Sequence, residues 1–164
     1  MHAVLQSVDL ASGADVAAAV AAQCVAEGVE RHSAVVTGLV RSALASPTVQ
    51  RAAACRHWRE TYTATTRPDG TVVEGYVDLI PREDDESLVV IDYKTDAVPA
   101  GALPVRAAYY RPQLQAYVDM LRAATGVADI RPVLLFLHPG TSAVSTPVAT
   151  RALPAPFMPG AEDP

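Results

Sequence analysis

The stretch from residue 58 to residue 94 constrains the fold more than any other part of the chain. Trp58 to Thr66 is rich in aromatic and β-branched residues, with Trp58, Glu60, Tyr62 and Ala64 at alternate positions, the pattern of a strand. Arg67-Pro68-Asp69-Gly70 is a turn signal: proline presets φ, and aspartate and glycine tolerate the backbone that a reversal needs. Thr71 to Ile80 then reads as a second strand, Pro81 to Ser87 as a polar loop, and Leu88 to Lys94 as a third strand. Three strands joined by short turns predict an antiparallel meander.

Helical patterns flank this meander. Ala14 to Ala26 is alanine- and valine-rich with Gly28 as a stop, and Val35, Val36, Leu39, Val40 and Leu44 repeat at helical spacing over His32 to Leu44. Ser46 before Pro47 predicts an N-cap for a short helix to Ala54. Beyond the meander, a loop with Pro99, Gly101 and Pro104 leads into a helix expected from about Ala107 or Pro112 to Ala124, stopped near Gly126. Strands follow at Pro132 to Leu137 and, more weakly, Ala143 to Thr150. Residues 1–153 read as one domain, with N-terminal helices over 1–56 and a core over 57–150. The proline-rich segment 154–164 reads as a disordered tail.

Composition narrows the function. The net charge of −5 over 164 residues excludes a broadly basic surface but not a local site. Cys24 and Cys55 lie far apart with no Cys-x-x-Cys, so no iron–sulfur cluster or structural zinc is expected. No apolar run reaches the length of a membrane span and no basic-then-apolar leader opens the chain, so no membrane association is expected and the expected location is cytoplasmic.

One residue stands out chemically. Of 13 lysines and arginines, Lys94 is the only lysine. Lysine is a compact point charge whose pKa moves readily, suited to a cramped site where negative charge develops. Strand alternation puts Asp92 and Lys94 on one face of the third strand, with Tyr93 turned away. On the second strand, Glu74, Tyr76 and Asp78 are expected on one face and Val73, Gly75, Val77 and Leu79 on the other. Two carboxylates and a lysine on neighbouring strands fit a hard divalent cation, magnesium or manganese, with a water to activate.

These motifs resemble a known family. Gly75-Tyr76-Val77-Asp78-Leu79 followed by Val90-Ile91-Asp92-Tyr93-Lys94-Thr95-Asp96 is similar to the metal-binding core of the PD-(D/E)XK nuclease superfamily. The likeness is nearest to the RecB/AddA-type nuclease domain at the C-terminus of UvrD-like helicases. Gln113-Leu114-Gln115-Ala116-Tyr117 resembles that family's Gln-x-x-x-Tyr helix motif, and the segment around His2 its N-terminal histidine segment. Glu60 falls where the family often has a glutamate on the first strand.

The resemblance implies an α/β, restriction-endonuclease-like core, a mixed sheet with the antiparallel meander flanked by helices. It implies Mg²⁺ or Mn²⁺ bound by His2, Asp78, Asp92 and the Tyr93 carbonyl, with Lys94 steadying the phosphate. Gln113 and Tyr117 would support the site or touch DNA, and a four-residue spacing does put them on one helical face. The implied activity is DNA phosphodiester hydrolysis in recombination, repair and end processing, on single strands or duplex ends. A UvrD/AddA-like helicase subunit is the partner the resemblance implies. The chain shows no Gly-x-x-x-x-Gly-Lys-Ser/Thr loop of its own and reads either as a free-standing nuclease-like protein or as the end of a split larger one.

The alternative is a catalytically weak or inactive module that binds DNA ends or docks to a helicase. Arg106 and Arg111 are candidates for phosphate contact, Asp96 for a turn cap, and Asp84, Asp85 and Glu86 for a solvated loop. Tyr110, Leu114, Tyr117 and Leu121 also make a core stripe. His32, His57 and His138 are assigned no role.

Overall fold

The computed structural model describes residues 1–138 and the backbone of residues 144–147. Four helices open the chain: α1 (His2–Ser7), α2 (Val16–Ala26), α3 (Ser33–Ala45) and α4 (Pro47–Ala54). The meander follows as β1 (Arg56–Thr66), β2 (Val72–Arg82) and β3 (Leu88–Lys94). The long α5 (Leu103–Thr125) leads to β4 (Ile130–Phe136) and β5 (Val144–Pro147). Within the described residues the sheet order is β1-β2-β3-β4-β5. β1 to β3 pair antiparallel as expected, β4 lies parallel to β3, and β5 is antiparallel to β4. The parallel step needs a crossover, which α5 supplies.

The local chemistry is mostly as the residues dictate. Ser46 Oγ accepts the Thr48 N–H at 3.2 Å, and Pro47 occupies the first turn of α4, where its missing N–H costs nothing. Gly126 ends α5 in the left-handed conformation, φ 72°. The start of α5 differs from expectation. It begins at Leu103, with a proline in its first turn, and runs through Pro112. A proline near a helix start fits as well as it does in a loop, so Pro104 gave no boundary. The strand predicted over 143–150 is confirmed over Val144–Pro147; the rest of that range and the 154–164 tail lie outside the described residues.

The sheet is packed on both faces. Leu79, Val89, Ile91, Tyr93, Leu135 and Leu137 meet α1 to α4, and Val77, Ile80, Val90, Leu134 and Phe136 meet α5. Burial on both sides explains why Leu88–Lys94 reads as an unbroken apolar run until Asp92.

One break in alternation positions the site. Val77 and Leu79 should share a face, yet Val77 packs with α5 and Leu79 with the N-terminal helices. β1 switches at the same level. Arg59 turns to α1, where it donates to the carbonyls of Leu5 and Val8, whereas Trp58 and Thr61 line one depression with Leu121 and Thr125 of α5. Between them, Glu60 has φ 45°, a conformation that glutamate adopts only under constraint. The register is unchanged on either side, Arg59 opposite Leu79 and Thr61 opposite Val77. Both strands therefore kink together at Glu60 and Asp78. The expectation that Leu79 shares the face of Val73, Gly75 and Val77 is corrected: local strain beats simple period-two alternation here.

Candidate metal centre

The kink turns two carboxylates toward the N-terminal helix. His2, Glu60 and Asp78 each offer a ligand atom, and these atoms lie within 4.8 Å of one another. His2 Nε2 is 3.9 Å from Asp78 Oδ2, and its ring stacks on Tyr93 with centroids 6.1 Å apart. Tyr93, buried on the α1 side as alternation requires, thus carries His2 to the site from beneath. The six-residue helix α1 is anchored by buried Val4 and Leu5 and by the Arg59 bonds to its C-terminal carbonyls.

Asp78 has a second job. Its Oδ2 accepts the Tyr93 backbone N–H at 2.6 Å, in place of a backbone partner on β2. Carboxylate and amide together close the gap between β2 and β3 at this level.

Asp92 and Lys94 project from β3 toward α5. Asp92 is 3% exposed, and its Oδ2 lies 2.6 Å from Lys94 Nζ. At this distance the ammonium and the carboxylate form a tight, largely buried ion pair. Lys94 Nζ also donates to Gln113 Oε1 at 3.1 Å, and Gln113 Nε2 donates to Tyr117 Oη at 2.9 Å. The ammonium lies 4.2 Å from the centre of the Tyr110 ring. Lys94 is therefore fixed from three sides.

Close packing sets the last of these partners. A Cβ on Gly75 would come within 2.9 Å of Tyr117 Cε1, so only glycine lets α5 settle at this height on β2.

The electrostatics follow from burial. Asp78 is pushed up to about 6, chiefly by desolvation, with the Asp92 charge adding to it and His2 opposing it. Asp92 is raised by desolvation as well, against the pull of Lys94. Two desolvated carboxylates whose charges resist one another favour a cation between them. That donor set of carboxylate oxygens and one imidazole fits a hard divalent cation.

The structure thus gathers His2, Asp78, Asp92, Tyr93, Lys94, Gln113 and Tyr117 in one place. Glu60 belongs with them, more closely clustered with His2 and Asp78 than Asp92 is. The family resemblance already pointed to a glutamate at this position on the first strand; the kink that aims it has no signature in periodicity. Tyr110 was legible only as core stripe, yet it lies under Lys94 and donates to Asp96 Oδ2 at 2.7 Å. Asp96 is not a turn cap: it holds Arg106 at 2.8 Å as well as Tyr110. Arg106 is accordingly committed, while Arg111 is exposed and forms no ion pair among the described residues. Asp84 to Glu86 form a turn, with Asp85 bonded to Ser87 and Glu86 paired with Arg82.

A search of curated proteins gives no match. Among solved structures, the crystal structure of SSO0001 is 20% identical with a TM-score of 0.44, the match covering 71% of this chain and 59% of that one. The family model of the PD-(D/E)XK nuclease superfamily matches residues 1–156. With the mixed sheet between two helical layers, this is the expected restriction-endonuclease-like α/β core, and the chain belongs to the PD-(D/E)XK nuclease superfamily.

Proposed function

We propose that the chain is a Mg²⁺- or Mn²⁺-dependent deoxyribonuclease that hydrolyses phosphodiester bonds in DNA. The observation that carries this is the pairing of a three-ligand cluster, His2, Glu60 and Asp78, with a buried Asp92 held against Lys94. His2, Asp78, Asp92 and the Tyr93 carbonyl would hold the cation, with Glu60 at its edge. A bound cation supplies Lewis acidity, which activates water and offsets charge on the phosphate.

The protein's own residues do the rest. Lys94 presents a fixed positive charge beside the carboxylates, where a phosphoryl oxygen gains charge in the transition state. Gln113 and Tyr110 keep that charge from swinging away, and Tyr117 keeps Gln113 in place. Arg111 offers an exposed guanidinium for a neighbouring phosphate.

By its RecB/AddA-like motifs, the domain would act on single strands or duplex ends in recombination, repair and end processing, alongside a UvrD/AddA-like helicase. The alternative, a nuclease-fold module that only binds DNA ends or docks to a helicase, has no use for the Lys94–Asp92 pair. End-labelled single- and double-stranded DNA incubated with protein and Mg²⁺, Mn²⁺ or chelator tests the proposal. Cleavage is expected with either metal and none with chelator. DNA retention without cleavage under every condition would support the binding module instead.

A further inference from the structure

The kink at Glu60 and Asp78 has a second effect, on the outer end of the β1–β2 hairpin. Past the kink, Thr61, Thr63, Val73, Gly75 and Val77 face α5, so the other face carries Tyr62, Ala64, Thr66, Val72, Glu74 and Tyr76. All six are exposed, and no helix among the described residues covers the sheet there. Tyr62 and Tyr76 sit directly opposite each other, 54% and 58% exposed, with ring centroids 5.4 Å apart. An exposed pair of aromatic rings on a strand face offers a surface on which a flat ring can stack.

Their position says what. Tyr62 is two residues from Glu60 and Tyr76 two residues from Asp78, about 7 Å along each strand from the ligand cluster. That is about the reach from a phosphate to the base of the adjoining nucleotide. Tyr62 is held in orientation by its hydroxyl, which donates to Glu74 Oε2 at 2.6 Å. Glu74 is the one charged side chain of the six, so the strip favours uncharged bases over the phosphate backbone. A planar base offers a π-face whatever its identity, whereas a paired base in a duplex has its faces covered by its neighbours.

We infer that Tyr62 and Tyr76 form a stacking platform for the base next to the cleaved phosphate, making the protein select unpaired nucleotides without reading their sequence. The inference rests on the proposed nuclease reading for the placement of the phosphate. The two tyrosines are positioning residues and take no part in the chemistry.

The test measures binding, not cleavage. Fluorescence anisotropy with Ca²⁺ present compares a labelled oligothymidylate with an abasic strand of the same length. Wild type is expected to bind the base-bearing strand about tenfold more tightly. The Tyr62→Ala/Tyr76→Ala protein should bind both strands alike, and Tyr62→Phe/Tyr76→Phe should keep the preference, since stacking needs the ring and not the hydroxyl. Both hairpin variants carry exposed substitutions, and retention of the wild-type melting temperature shows that they fold. Equal binding of the two strands by wild type, no binding of either, or a preference that survives the double alanine change overturns the platform. Lys94→Ala should slow cleavage about 10²–10³-fold yet keep the preference, so failure of the nuclease reading and failure of the platform are distinguishable.

Discussion

Asp78 Oδ2 accepts the Tyr93 backbone N–H at 2.6 Å, so one carboxylate both stitches β2 to β3 and faces the metal cluster. The two jobs respond differently to substitution. Asparagine keeps an oxygen acceptor but loses the charge. Asp78→Asn should fold at least as stably as wild type while losing divalent-metal binding. Asp78→Ala strands the Tyr93 amide and should be less stable than Asp78→Asn by about 1–3 kcal/mol. Urea unfolding and calorimetric Mn²⁺ titration check both halves.

The same carboxylate sets a pH dependence. Asp78 is raised from 3.8 to about 6, and Asp92 is raised in the same direction. An acid raised by folding favours the native state most below its ordinary value. That contribution fades as pH climbs through about 6. The metal-free protein should therefore lose stability between about pH 4 and pH 6 on account of this group. Metal needs the deprotonated carboxylates, so stabilisation by Mg²⁺ should grow over the same window. Melting temperatures from pH 4 to pH 8, with Mg²⁺ and with chelator, give the test, and Asp78→Asn should flatten its share of the chelator curve.

Gly75 lets Tyr117 of α5 pack close against β2. Gly75→Ala drives a methyl into Tyr117, a buried ring at the end of the Lys94–Gln113–Tyr117 chain. The cost should be about 1–3 kcal/mol of stability, and cleavage should fall with it as Lys94 loses its fixed partner. Tyr117→Phe keeps the packing and removes only the hydroxyl, so its melting temperature should stay near wild type. A Gly75→Ala protein with unchanged stability and activity would contradict the close packing.

His2 reaches the site on a six-residue helix, its side chain 47% exposed. His2→Ala should leave the fold stable and weaken metal binding at least about tenfold, since even outer-shell partners of a metal cost that much. Mn²⁺ titration of the folded variant is the check.

Much of the fold and site could be read from the residues, for physical reasons that differ by element. The meander was legible because Arg67-Pro68-Asp69-Gly70 and the polar loop before Leu88 leave the chain few other ways to reverse. Asp92 and Lys94 were legible because β3 is regular, so alternation alone puts both toward α5. Asp78 was found, but its surroundings were not. A paired kink with Glu60 in left-handed conformation leaves no mark in composition or periodicity. The same is true of Asp96, whose partners Arg106 and Tyr110 come from a helix 10 and 14 residues away in sequence. Pro104 and Pro112 were read as loop and boundary signals, and the buried stripe of Leu114, Tyr117, Val118 and Leu121 overrode them.

The central claim is that Lys94, fixed by Asp92, Gln113 and Tyr110, stabilises charge on a phosphate held at a divalent cation. Mg²⁺-dependent cleavage of labelled DNA by Lys94→Ala, with Mn²⁺ affinity measured on the same protein, tests it most directly. The account predicts retained metal binding and a cleavage rate lower by about 10²–10³-fold, the usual loss for one preorganised donor. Cleavage at the wild-type rate would contradict it.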